Sequence, residues 1–261
     1  NAAQFFHAPA YRLLMDYVEV VAIADPDVTN REMVKKILPN RVREYGSYRE
    51  MMKSEILDMV DVMLPHHLYV KVIPEISKSC KNILAEKPFA KTLKEAKVIL
   101  KATSKINFSV VHNYLYGYRY RQAIHTIKSG EIGKPFLVRL ENLNTGMNSI
   151  DPNNPSSWRT NKNVAGTGTF HDHGYHLVYL ARALMGSEVV AVSSLMGSYY
   201  EKGTTLDTAS VVLRHKNGGM SILLDGRLSN QNTEDVEEIL GTKGTLRLTL
   251  DTTKLEKFKL D

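Results

Sequence analysis

Short apolar runs separated by amphipathic stretches fill the first part of the chain, the rhythm that builds a parallel sheet with helices between its strands. Val18-Glu19-Val20-Val21-Ala22-Ile23-Ala24 predicts a strand ending at Asp25, and Val28 to Leu38 the next helix. Asp58 to Leu64 repeats the strand pattern and stops at Pro65. Leu68 to Ser79 follows as a helix, despite Pro74 near its middle, and Asn82 to Ala85 as a strand. Thr92 to Thr103 predicts a helix opened by a capping box of Thr92 with Glu95, before a strand over Asn107 to His112. Together these make most of a doubly wound sheet.

Around Asn113 the rhythm changes. A helix over about Tyr118 to Lys128 and a turn at Gly130 to Pro135 lead into strand-like runs at Phe136 to Leu143, Val189 to Leu195, Thr208 to Arg214, Gly219 to Arg227, Val236 to Leu240 and Thr245 to Leu250. Asn217-Gly218-Gly219 and Thr242-Lys243-Gly244 read as hairpin turns, so this second sheet is mostly antiparallel. The expected fold is α/β: a Rossmann-type parallel-sheet domain over residues 1–113, then an α+β domain with a large, mostly antiparallel open sheet over 114–261. Within the second domain, just before the Asp172 and His176 segment, Met147 to Val164 is rich in Asn, Pro and Ser and reads as a long loop of the kind that serves as a lid.

A dinucleotide-binding sheet normally begins with a strand and a Gly-x-Gly-x-x-Gly turn. Here the chain opens in helical pattern at Asn1-Ala2-Ala3-Gln4-Phe5-Phe6. The expectation is that the first strand and its glycines lie upstream and that the C-terminus is cut short too. Asn1 and Ala2 then sit near the helix N-terminus whose backbone donors face a pyrophosphate.

Composition narrows the class. The chain of 261 residues is 43% hydrophobic and 24% charged, ordinary for a globular protein, and no apolar run approaches the roughly 20 residues that cross a bilayer. The lone Cys80 cannot form an internal disulfide, which fits the cytoplasm. A net charge of +6 and a pI near 9.2 raise the question of nucleic acid. Lysines and arginines are nevertheless interleaved with acids, as in Arg31-Glu32 and Lys254-Leu255-Glu256-Lys257, with no basic arm. The charge reads as a solvated surface with modest attraction for anionic small molecules, not as a nucleic-acid or membrane site.

Candidate chemistry gathers in two segments. Asn82 to Pro88 places Lys87 just past an apolar strand, where ligands of open α/β sheets sit, and Pro88 can fix the turn through a cis peptide. Gly166 to His176 supplies Asp172 and His176, four apart and so on one helical face. A Lys, an Asp and a His in one pocket can orient a hydroxyl and remove its proton. Asp25, at a strand end, can accept from ribose hydroxyls and favour NAD over NADP, or be a plain turn aspartate before Pro26. Pro65 offers a flat surface to a base or nicotinamide; His66 is open, and His67 reads as solvated. Arg159, beside Trp158, can clamp a substrate anion or lie on the surface. The run His171-Asp172-His173 with His176 also suggests zinc, but His171 and His173 point to different helix faces, so no metal is expected. The plain alternative for the segment is a helix-start aspartate capping amides and a buried histidine.

In this order, Asp25, the Pro65 loop, Glu86-Lys87-Pro88, Asn113, Gly130-Glu131-Ile132-Gly133, Trp158-Arg159, Gly166 to His176 and Glu238 to Gly244 resemble the glucose-fructose oxidoreductase, inositol dehydrogenase and rhizopine-catabolism family, Gfo/Idh/MocA. The resemblance covers nearly the whole chain. It implies NAD, with NADP less favoured, held by Asn1, Ala2, Asp25, Pro65, His66, Glu86, Lys87 and Asn113, and a sugar or polyol held by Arg159, Asp172 and His176. It further implies that Lys87 orients the reacting hydroxyl, His176 is the general acid/base, Asp172 holds substrate or tunes His176, and the open sheet makes a dimer or tetramer. Tyr69 replaces a frequent histidine, Thr167 interrupts a glycine triplet, and Tyr179 replaces a common aspartate, departures that bear on the substrate. An NAD-dependent glycosidase and a non-catalytic cofactor sensor are the alternatives to an NAD(P)-dependent oxidoreductase.

Overall fold

The computed structural model describes residues 2–38, 41–143, 162–166, 168–199, 206–226, 236–249 and 253–257. It divides into two compact units. The first takes Asn1–Leu64, Leu68–Glu86 and Lys97–Ser109; the second takes Pro65–His67, Lys87–Ala96 and Val110–Asp261.

In the first unit a π-helical turn, Ala3–His7, runs into α1 (Ala8–Leu13), followed by β1 (Ala22–Ala24), α2 (Val28–Lys35), β2 (Arg43–Tyr45) and α3 (Tyr48–Ser54). Asp27 caps α2 by accepting from the Thr29 amide, and Ser47 caps α3 by accepting from that of Arg49. Then come β3 (Val60–Val62), α4 (Tyr69–Ile76), β4 (Asn82–Ala85), α5 (Leu93–Ala102) and β5 (Asn107–Val110). The strands form two sheets: β1 pairs parallel with β2, and β4 lies between β3 and β5 with β3 parallel to it. Several strands are shorter than their apolar runs: Val18 to Val21 and Asp58 to Met59 lie outside them, although the Val21 carbonyl still accepts from the Arg43 amide at 3.0 Å. β2 and α3 are absent from the pattern-based expectation. Both are too short and polar for periodicity to mark them.

The capping box at α5 is real but shifted. The Glu95 amide donates to Thr92 Oγ1 at 3.2 Å, while Glu95 Oε2 accepts from the Lys91 amide instead of that of Thr92. Pro74 sits inside α4, where Tyr69, Val72, Ile73 and Ile76 bury one face that outweighs the lost donor.

The second unit holds α6 (Tyr118–Lys128), β6 (Pro135–Leu143), α7 (Lys162–Ala165), α8 (Thr169–Asp172), α9 (Gly174–Met185), β7 (Val189–Gly197), β8 (Thr208–His215), β9 (Met220–Gly226), β10 (Val236–Gly241), β11 (Gly244–Leu248) and β12 (Thr253–Lys257). Its seven strands run β12-β11-β10-β6-β9-β8-β7, and β6 with β9 is a parallel pair among antiparallel ones. Both glycine-bearing turns close hairpins as expected, β8 to β9 and β10 to β11. β12 lies beyond the strands that the pattern predicts.

One face of this sheet meets α9. Leu177, Leu180, Ala181 and Leu184 recur at helical spacing and are buried against Val138, Leu140, Leu223, Ile239 and Leu246. Each leucine removed from water there contributes about 1.5–3 kcal/mol, which fixes the register of α9 over the sheet. Gly186, at φ 62°, ends α9 in the left-handed conformation that glycine adopts without strain.

Candidate active site

Lys87, Asp172 and His176 all belong to the second unit. The Lys87–Pro88 peptide is cis. Lys87 Nζ donates to the Asp172 main-chain carbonyl at 2.8 Å and to Asp172 Oδ1 at 2.9 Å, so its ammonium is held at two points. Asp172 and His176 are both buried. They do not share one helix as expected. Asp172 ends α8 and His176 stands in the first turn of α9, with His173 between the two helices, so Asp172 is not a helix-start cap either.

The approach of this segment to the sheet needs glycine. Gly168 has φ 124° and pairs with Leu206 in an isolated parallel bridge; a Cβ there would lie 2.0 Å from the Leu206 carbonyl oxygen. The Thr169 amide donates to that same oxygen at 2.8 Å, which anchors the start of α8.

An aromatic enclosure surrounds His176. Tyr114 stacks on its ring at 4.4 Å and 18°, Tyr179 packs edge-on, and Tyr179 Oη lies 2.7 Å from His176 Nδ1. The Tyr114 amide donates to the same Oη at 3.3 Å. Burial, reinforced by the Lys87 ammonium and the neighbouring His173 imidazole and opposed by Asp172, pushes the His176 pKa from 6.5 down to about 3. His176 is therefore a neutral imidazole at neutral pH. The Tyr179 hydroxyl oxygen can accept from Nδ1–H, which leaves the Nε2 lone pair free, but it brings no compensating negative charge.

His66 is also buried here. Its Nδ1 must donate to the Ala165 carbonyl, 2.8 Å away, and its Nε2 lies 4.0 Å from Asp172 Oδ1. His67 is not the solvated histidine expected: it is half-buried, and its Nδ1 is enclosed with no hydrogen-bond partner among the described residues. The remaining histidines of the cluster are already engaged, His171 Nε2 with the Ala90 carbonyl at 2.9 Å and His173 Nδ1 with Asp225 Oδ1 at 2.8 Å. Among the described residues no group of three or more His, Cys, Asp or Glu side chains is arranged to hold a metal. A cavity of about 230 Å³ beside α8 is lined by Phe170, His171, Tyr175 and Leu206 but by none of Lys87, Asp172 and His176.

Pro65 is half-buried and Asn113 exposed, at the start of a short 3₁₀ turn. In the first unit, Ala2 begins the opening helical segment. Asp25 follows β1: its Oδ1 accepts from the Asp27 amide at 2.8 Å, while its Oδ2 has only a 3.4 Å contact with Asn30 and keeps capacity to accept. Glu86 Oε1 lies 2.9 Å from His7 Nε2, a partnership that the sequence does not disclose. Asn1, Thr167, Trp158 and Arg159 lie outside the described residues, as does most of the 147–164 loop.

The sequence assigns no role to three groups that the structure places against these histidines: Tyr114, Tyr179 and Asp225. Tyr179 could be found, one turn after His176. Tyr114 is one tyrosine among 13. Asp225 gives no local signal, because it reaches His173 from 52 residues away.

Two family models match the chain: "Oxidoreductase family, NAD-binding Rossmann fold" over residues 1–114, and "GFO/IDH/MocA C-terminal domain" over residues 120–247. Levoglucosan dehydrogenase of Pseudarthrobacter phenanthrenivorans is 29% identical over 199 residues, 75% of this chain and 48% of that protein, so the matched stretch is about half the relative's length. Myo-inositol 2-dehydrogenase of Thermotoga maritima is 26% identical over 247 residues, 92% of this chain and 70% of the relative. The WlbA dehydrogenase of Bordetella pertussis, solved with NADH and UDP-GlcNAcA, shares the fold with a TM-score of 0.86 at 22% identity, over 98% of this chain and 76% of that one.

Proposed function

As this chain belongs to the Gfo/Idh/MocA family of oxidoreductases, we propose that it takes part in nicotinamide-linked oxidoreduction of a CH–OH group in a sugar or polyol. The observation that carries the reading is the Lys87 ammonium held by the carbonyl and carboxylate of Asp172 beside the enclosed, neutral His176.

The residues present fit a nicotinamide dinucleotide. On the first unit, Asp25 Oδ2 accepts only one long contact, from Asn30, and keeps capacity for the adenosine ribose hydroxyls, and a carboxylate there disfavours the extra phosphate of NADP. Ala2, Glu86, Pro65, His66 and Asn113 complete the proposed cofactor set, with Asn1 at the chain start. The bound cofactor supplies the hydride acceptor or donor at its nicotinamide ring. All else is positioning and proton management by the protein.

Lys87 holds the reacting oxygen and favours its developing negative charge. Asp172 aims Lys87. His176, held by Tyr179 and Tyr114, takes the hydroxyl proton as the alcohol becomes a carbonyl and returns one in reverse. Arg159 is proposed to contact substrate. Exposed Val190, Val192 and Leu195 of β7 support self-association through the open sheet.

The test is calorimetric titration of the chain with NAD and with NADP, followed by turnover assays with myo-inositol, levoglucosan and related cyclic polyols. NAD binding with turnover of one of them is expected. Failure to bind either nucleotide would remove the reading.

A further inference from the structure

A second histidine stands beside the trio, with its own buried carboxylate. His173, at the junction of α8 and α9, has its ring centroid 5.7 Å from that of His176, within the span of one bridging water. Its Nδ1 lies 2.8 Å from Oδ1 of Asp225 on β9. A carboxylate only accepts, so Nδ1 carries the hydrogen and the lone pair of a neutral His173 sits on Nε2. Asp225 is fully buried, and its Oδ2 has no hydrogen-bond partner among the described residues. The His173 side chain is 15% exposed. The pair has the composition of a proton acceptor: one basic nitrogen in reach of the site, the other tied to a carboxylate that stabilises the imidazolium.

His176 lacks that support. Its Nδ1 partner is a phenol, and Lys87, His173 and His112 all oppose a positive charge on it. A proton taken by His176 needs somewhere to go.

We propose that the His173–Asp225 pair is the proton acceptor of this site, receiving through His176 the proton that leaves the substrate hydroxyl. The inference rests on the oxidoreductase reading above. In the oxidation direction the substrate C–H bond breaks with its electron pair, and the oxidised nicotinamide, when bound, would supply the acceptor for that hydride. The O–H bond breaks, its electrons become the second C–O bond, and the proton binds His176 Nε2. That nitrogen then releases the proton to His173 Nε2, restoring neutral His176 and leaving an imidazolium paired with Asp225. Deprotonation of His173 by solvent completes the turnover. The charged and titratable groups that act on His176 are Lys87, His173, Asp172 and His112, and His173 in turn faces Asp225.

The test compares the full chain with its His173→Ala and Asp225→Asn variants, using NAD and a panel of myo-inositol, scyllo-inositol and levoglucosan. Both variants are expected to lose kcat on the order of 100-fold with little change in KM or in NADH affinity. Added imidazole is expected to restore part of the His173→Ala loss, and the variants' remaining activity to rise with pH as hydroxide replaces the missing acceptor. The partly exposed His173 carries the test if Asp225→Asn does not fold. Folded variants with unaltered kcat and pH profile, or a loss confined to KM without imidazole rescue, would overturn the relay while leaving the parent reading intact. An unaltered chain that binds NADH but oxidises none of the panel overturns both.

Discussion

Lys87 Nζ donates to two oxygens of Asp172, the main-chain carbonyl at 2.8 Å and the carboxylate at 2.9 Å. The side chain of Lys87 is 17% exposed and that of Asp172 is 9%. A cation in this position is aimed by its anchor and cannot swing freely into solvent. Removing it also leaves a buried carboxylate with less support.

Lys87→Met is therefore expected to lower kcat by on the order of 100-fold or more, far more than it weakens nicotinamide binding. It is also expected to cost roughly 2–4 kcal/mol of stability. Asp172→Asn keeps the shape and removes the charge, so its loss in kcat should be smaller, and the double variant should not add the two losses. Steady-state kinetics with urea denaturation of each variant check this. Additive losses would show that the two residues act independently.

Tyr179→Phe deletes the hydroxyl that meets His176 Nδ1 and accepts from the Tyr114 amide. A buried imidazole nitrogen and a main-chain amide then share one lost partner, at a cost of about 1–3 kcal/mol. kcat should fall while KM stays near its original value, because the ring of His176 loses its fixed orientation. Thermal unfolding and kcat measured together decide whether the hydroxyl orients the histidine or only fills space.

His7 predicts a pH dependence of stability. Burial by itself would lower its pKa, but hydrogen bonds and charge from Asp61 and Glu86 prevail and raise it from 6.5 to about 9. The folded state thus binds this proton more tightly than the unfolded chain. The stabilisation is complete below about pH 6.5 and is lost progressively as pH rises through about 9. Urea midpoints should fall over that range in the unaltered protein. His7→Gln, which carries no charge at any of these pH values, should flatten the curve.

Gly168→Ala should be severely destabilising. Its backbone has φ 124° and its Cβ would stand 2.0 Å from the Leu206 carbonyl oxygen, so a substitution brings both backbone strain and a clash with main chain. A loss of at least about 2 kcal/mol is expected, with α8 displaced and Asp172 moved off Lys87. Gly218→Ala, positive in φ but with open space around it, isolates the conformational part of the cost. Comparable melting temperatures for the two would show that the contact with Leu206 is not limiting.

The sequence by itself determined the fold class, and it singled out Lys87, Asp172 and His176 as candidates that the fold brings near one another. Alternating strand and helix patterns, the two hairpin turns and the helix Tyr118–Lys128 are encoded locally, by side-chain periodicity and turn chemistry, and emerge where they are read. Lys87 was legible because its place after an apolar strand is a local fact. Short polar elements such as β2 and α3 were not, since their stability comes from neighbours outside any sequence window. Only the tertiary structure decided that Asp172 and His176 sit on separate helices, that His7 bridges Asp61 and Glu86, and that Asp225 meets His173. The protonation preferences followed from the same source. Burial and the summed charges of Lys87, His173, Asp172 and His112 set the state of His176, and those groups become neighbours only when strands and helices distant in the chain pack together.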